Sequence, residues 1–141
     1  MANALFDAYR NTVLGLNTFT DLDAVTLKAM FVDHADDTPS TSADDFINDI
    51  ASAARVPALG SCPTLGSKTL GVVGVGVFDA ADTVFTALSG DPSESLIIFE
   101  DSGTEATSDL LAFWDTATGL PLTPNGGDVT VQWNASGIWR F

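Results

Sequence analysis

The chain has 141 residues, with 19 Asp and Glu against only five Lys and Arg, and a formal net charge of −14. One domain of this length buries about 70% of its unfolded surface without disulfide staples, and an apolar content of 45% excludes a disordered composition. The negative field repels phosphate, so nucleic acid and anionic membranes are excluded as expected partners and basic surfaces are favoured.

From the N-terminus, residues 4–16 place Leu5, Tyr9, Val13 and Leu16 on one stripe at helical spacing, with Asp7, Arg10 and Asn11 away from it. A short amphipathic helix is predicted. So short a helix is marginal alone, and its stripe must dock on its own domain or on a neighbour. Residues 1–20 are therefore read as an N-terminal docking segment and 21–141 as a single β-rich domain. AVTLKAMFVD (24–33) alternates with both faces largely apolar, which predicts a central strand. The polar stretch 34–45 then ends in a helix start signal, with Ser42 as cap and Asp44 and Asp45 in the first turn. A helix near 43–54 is predicted, carrying Phe46, Ile47, Ile50 and Ala51 on one side and stopping before Pro57.

Beyond residue 58 the pattern is β, with candidate strands at 68–78, 83–88, 94–100, 109–115, 128–133 and 137–141 separated by turn chemistry. With the strand at 25–32 the fold class is mainly β: an antiparallel β-sandwich of about seven strands with one or two short helices. Val129, Val131 and Trp133 alternate with Thr130 and Gln132, which predicts a wet side for that strand. The last two strands are predicted to form a closing hairpin around Asn134–Gly137. A strand ending at Phe141 with no polar tail is either paired within the sheet or placed at an interface.

Little in the sequence points to reaction chemistry. His34, the single histidine, lies beside Asp33, Asp36 and Asp37 with no adjacent activated nucleophile. The acidic loop 33–45 offers hard oxygens for calcium but lacks the alternating carboxylates and closing glutamate of an EF-hand. Cys62, the lone cysteine, sits in a GSCPT turn with no second thiol to pair with. The glycines of GVVGVGVF (71–78) run GxxGxG with no helix after them, so a strand bulge or close backbone packing is expected rather than a dinucleotide loop. Asn134-Ala135-Ser136 matches a glycosylation sequon but is read as a turn, since residues 1–16 do not resemble a secretory signal. Trp114, Trp133 and Trp139 sit on strands rich in Val, Leu and Ile, which favours core or subunit-interface packing over a sugar-stacking platform. No catalytic residue, cofactor or bound metal is expected, and the chain is read as non-enzymatic.

Several segments together carry a resemblance. DDFINDIASAARVPALG (44–60), KTLGVVGVGVFDAADTVF (68–85), ESLIIFEDSGTEATSDLLAFWD (94–115) and above all TGLPLTPNGGD (118–128), a long turn with two prolines and paired glycines, resemble a family of small virion structural proteins of tailed bacteriophages. The ending NASGIWRF departs from the longer, more basic ending expected there. The resemblance implies a capsid decoration or cement protein on the outer surface of the head, made in the host cytoplasm. It would bind the major capsid protein or neighbouring virion proteins and form homo-oligomers. A tail, neck or fibre component, or a carbohydrate- or receptor-binding module, is the alternative. Interface residues expected on the apolar stripe and the last strand are Leu5, Tyr9, Val13, Leu16, Trp139 and Phe141.

Overall fold

A computed structural model describes residues 3–14 and 21–141. The fold is mainly β, with antiparallel sheets and one α-helix among the described residues. The chain enters as strand β1 (Ala4–Leu5), turns into helix α1 (Asp7–Val13), and returns as β2 (Leu27–Val32) and β3 (Arg55–Val56). Then follow β4 (Thr69–Leu70), β5 (Val77–Asp79), β6 (Thr83–Phe85), β7 (Ser95–Glu100), β8 (Leu110–Trp114), β9 (Val129–Val131) and β10 (Trp139–Arg140). They form a five-stranded sheet in the order β1-β8-β7-β2-β3, a three-stranded sheet β10-β5-β4, and the pair β6-β9. No described helix is long and apolar enough to cross a membrane.

The five-stranded sheet is covered on both faces, and the period-2 alternation of its strands decides which side chain goes where. Leu27, Ala29 and Phe31 of β2, with Leu96 and Ile98 of β7, face a core completed by Tyr9 from the helix, Phe78 and Phe85 from the smaller sheets, and Leu88 from the loop after β6. Met30 and Val32, with Ile97 and Phe99, face a second core filled by Phe6, Ile47, Ile50, Ala54 and Cys62. Leu111 is the extra residue of a β-bulge, because Ile98 pairs with Ala112 and Phe99 with Leu110. That bulge sends Leu111 to the first core while Leu110 and Phe113 serve the second. β2 is thus the doubly covered strand that its two apolar faces predict.

Four expectations need correction. The stretch 43–54 is not an α-helix: it forms 3-10 turns at Ile47–Asp49 and Ser52–Ala54. Its backbone is claimed by other partners, since Leu110 N–H donates to the Asp45 carbonyl and Ile47 N–H to the Ser108 carbonyl. The Asp49 carboxylate accepts from the N–H groups of Asp45 and Phe46. Asp and Asn oxygens compete with the helical ladder in this way, and Ser42 caps nothing helical. Secondly, the predicted strand 68–78 is a hairpin, β4 against β5, whose tip is 71–76.

Thirdly, the closing segments do not pair with each other: β9 pairs with β6 and β10 with β5. Gly137, at φ +103°, lets the chain cross between the two sheets, where an added Cβ would lie 2.1 Å from Val77 Cγ1. Lastly, the N-terminal segment starts as a strand, Ala4 opposite Phe113 and Leu5 opposite Ala112, before α1 begins. The predicted wet side of β9 is present, with Thr130 and Gln132 exposed and Val129, Val131 and Trp133 half-buried.

Candidate functional site

The chemistry-bearing groups resolve into three places. The first surrounds His34. Its Nε2 lies 2.8 Å from Ser95 Oγ, its ring stacks on Phe113 at 6.4 Å, and its backbone N–H donates to Glu94. A histidine hydrogen-bonded to a serine is the opening pair of a nucleophilic site. Here Ser95 is fully buried at the start of β7, so a substrate would have to displace the sheet to reach its hydroxyl.

Cys62 is likewise enclosed, with Sγ directed at the carbonyls of Pro57 and Ala58. Burial pushes its thiol up to about 12, so it is protonated at neutral pH.

The second place is acidic. Carboxylate oxygens of Asp33, Asp36 and Asp91 lie within 4.8 Å of one another, with Asp33 buried and the other two exposed. Calcium takes roughly six to eight oxygens, more than these three residues offer as single ligands, and one Asp33 oxygen already accepts the Ala35 N–H. Asp91 comes from the SGDPSES turn, far along the chain, and no local motif links it to loop 33–45. Two other aspartates of that loop serve the backbone, Asp37 accepting from Ala51 N–H and Asp44 from Ser40 N–H. Burial holds the Asp44 carboxyl above its usual range, reinforced by Asp37, Asp49 and Asp45. Much of the acidity thus builds loops as well as charging the surface.

The third place is an aromatic groove of about 510 Å³ between the end of β8, the loop that follows it, β9 and the approach to β10. None of its lining residues is charged. Trp114 and Trp133 form one wall, with ring centres 5.7 Å apart and planes inclined by 49°. Trp133 is fixed from both sides, its indole donating to Thr83 Oγ1 and its backbone N–H to Asp82. Residues 117–120 and Leu122 also line it, and reciprocal backbone bonds between Ser93 and Leu122 hold that segment. Thr118, Thr130, Gln132 and Asn134 supply the polar atoms.

Trp114 continues to Trp139, which stacks on Phe78 at 4.3 Å and meets Tyr9 edge-on. The closing strand therefore brings Trp139 to Trp133 through Trp114 rather than across a hairpin.

The expected interface residues fall mostly inside the molecule. Tyr9 is 2% exposed, and Leu5, Val13 and Trp139 are half-buried against the first core. Burial drives the Tyr9 phenol well above its usual range, with the neighbouring Trp139 indole opposing the shift in part. The Trp139 Nε1 is itself buried without a hydrogen-bond partner of good geometry. Phe141 is 52% exposed and rests on Tyr9, while Leu16 lies outside the described residues. The helical stripe therefore docks on its own domain.

Sequence reasoning missed two features. One is the exposed hairpin tip, whose Leu70, Val72, Val73 and Val75 face solvent; a Val-rich run interrupted by three glycines was the available signal. The other is Arg55, whose buried guanidinium donates to the carbonyls of Ile47 and Ile50 and to Glu105. No protein-family model matches the chain, and no curated protein matches it in sequence.

Proposed function

We propose that this protein is a non-enzymatic structural subunit of a bacteriophage virion, a capsid decoration or cement protein. It would bind the major capsid protein or neighbouring virion proteins at the outer surface of the head. The architecture in this reading is a β-sandwich, with the five-stranded sheet as one layer and the two smaller sheets as the other. The observation that carries the proposal is the position of TGLPLTPNGGD, the most specific piece of the resemblance. Its first residues form a wall of the uncharged groove. Backbone bonds between Leu88 and residues 126–127 hold its far end. A segment fixed in this way around an apolar recess suits a contact surface, because fixing the loop beforehand lowers the entropy lost on binding.

Nucleic acid is excluded from the reading by charge, since fourteen excess negative charges oppose a phosphate backbone. Self-association is part of it, because a subunit present in many copies gains from each repeated contact.

The test is the particle. Purified virions of a phage carrying this gene should contain the protein in many copies, visible as density outside the coat. Virions made without it should release DNA at a lower temperature. Virions that lack the protein altogether would refute the reading.

A further inference from the structure

We propose that the uncharged face made by the 71–76 hairpin tip and the tryptophan groove is a contact between two copies of this chain, the hairpin of each seated in the groove of the other. The inference deepens the self-association in the reading above and is testable without a particle.

Four observations carry it. Six of the seven large apolar side chains exposed among the described residues belong to this face or border it. Leu70, Val72, Val73 and Val75 are on the hairpin. Phe141 is tied to it by its N–H donating to the Gly76 carbonyl, and Val84 pairs with groove-lining Thr130. Such a concentration marks an interaction site rather than ordinary surface.

Both halves lack carboxylates in a strongly acidic chain: residues 69–78 contain no Asp, Glu, Lys or Arg, neither does the groove lining, and the charged side chain over the hairpin is the cation Arg140. Two copies at −14 each repel one another, so close contact is cheapest where neither copy places a carboxylate.

Ridge and groove are also contiguous. Val73 lies 3.5 Å from the Cβ position of Gly137, and Gly137 lines the groove. A ridge beside a groove of the same chemistry is self-complementary about a two-fold axis passing between them, the geometry of an isologous dimer.

Lastly, Arg140 points over the hairpin, its Nη2 lying 2.8 Å from the Cβ position of Gly74. Arg10, Lys28 and Arg55 have carboxylate partners, and Lys68 donates to the backbone carbonyls of Leu22, Asp23 and Val25. Arg140 is the one cation among the described residues with neither, so at the edge of this face its charge offsets part of the repulsion between two copies of net charge −14. The groove is mostly apolar with few polar atoms, which suits valines of a partner better than a sugar.

The experiment is sedimentation velocity of the full chain, with tryptophan emission followed over the same concentration series. Association should strengthen between about 0.1 M and about 1 M salt, as the screening length falls from about 10 to about 3 Å and self-repulsion fades. Emission should shift to the blue as Trp114 and Trp133 are covered. Val72→Asp with Val75→Asp, both at exposed positions, should weaken association at least about tenfold. Thr130→Lys alone should weaken it too, whereas Val75→Asp combined with Thr130→Lys should restore it at low salt, because each altered hairpin then meets an altered groove.

A wild-type chain that stays monomeric at every salt would overturn the proposal, as would a valine double variant that associates like wild type. So would a monomer whose emission responds to maltohexaose but not to its own concentration, which would assign the groove to a neutral glycan. None of these results bears on whether virions contain the protein, so the two readings fail separately.

Discussion

Arg55 offers the sharpest test of how the segment 44–56 is held, because its charge and its hydrogen bonds can be separated. Its guanidinium is nearly enclosed, with Nε 3.0 Å and Nη2 2.7 Å from the Ile50 carbonyl and Nη2 2.9 Å from the Ile47 carbonyl. Its carboxylate partner, Glu105 at 2.9 Å, is about half exposed. Arg55→Met keeps most of the volume but leaves the Ile50 carbonyl without its donor, at about 1–3 kcal/mol when buried and unmet, while the Ile47 carbonyl keeps the Ile50 N–H. Packing of the thioether offsets the weakened second bond at Ile47, so the expected loss is about 1–3 kcal/mol. Glu105→Gln keeps those donors and weakens only a solvent-screened pair, for a loss of about 0–1 kcal/mol. Urea titrations of the three proteins, read at constant m-value, give both differences. Equal losses for the two variants would refute the reasoning, since the ion pair rather than the carbonyl caps would then organise the segment. A loss below about 1 kcal/mol for Arg55→Met would refute it from the other side.

Three further outcomes follow from the packing and the charges. Phe6→Ala should cost about 3–5 kcal/mol in urea melts, because the ring is fully buried edge-on against Phe113; a loss under about 1 kcal/mol would mean that β1 and α1 are dispensable. Acidification should first stabilise and then destabilise the fold. Asp44, Glu100 and Asp109 are held above the usual carboxylate range, chiefly by burial, so the stability they withhold at neutral pH returns as pH falls through their raised values. Asp101, lowered by its bond to Lys28, and Glu105, lowered by its bond to Arg55, contribute above the ordinary carboxylate range and lose that contribution as pH falls through their depressed values. Urea midpoints should therefore peak in mildly acidic buffer, and a steady decline from neutral pH downward would contradict the assignment. Finally, Cys62 should resist a thiol reagent in native buffer and react promptly in urea; rapid native labelling would show that its enclosure opens readily.

The strand content was legible because alternation is a local signal. β2, β7 and β8 fall within a residue or two of their predicted spans, and β9 has its predicted wet face. What local pattern could not convey was pairing. The run 128–141 reads as two strands around a turn, but Trp139 stacks on Phe78 and Val131 pairs with Thr83, contacts spanning some fifty residues or more that no hairpin signal encodes. The segment 43–54 misled for a related reason. Its apolar spacing and acidic start suit a helix equally well, and the outcome was decided by Ser108, Leu110 and Arg55, which take its backbone groups from elsewhere in the chain. The groove was invisible because its walls come from segments each unremarkable alone, whereas the stripe of Leu5, Tyr9 and Val13 was visible and its destination was not.

The five-stranded sheet is bounded by β1 and β3, each only two residues long. Past β3 stands Pro57, which has no N–H to offer, and past β1 the chain bends at once into α1 with Phe6 N–H already bonded to Leu111. A margin this short gives an incoming strand almost no ladder to extend, so growth by strand addition, the route to fibrils and sticky aggregates, is closed at both sides of the sheet. Contacts with other molecules along this sheet are thereby left to its side chains and loops rather than to its backbone ladder.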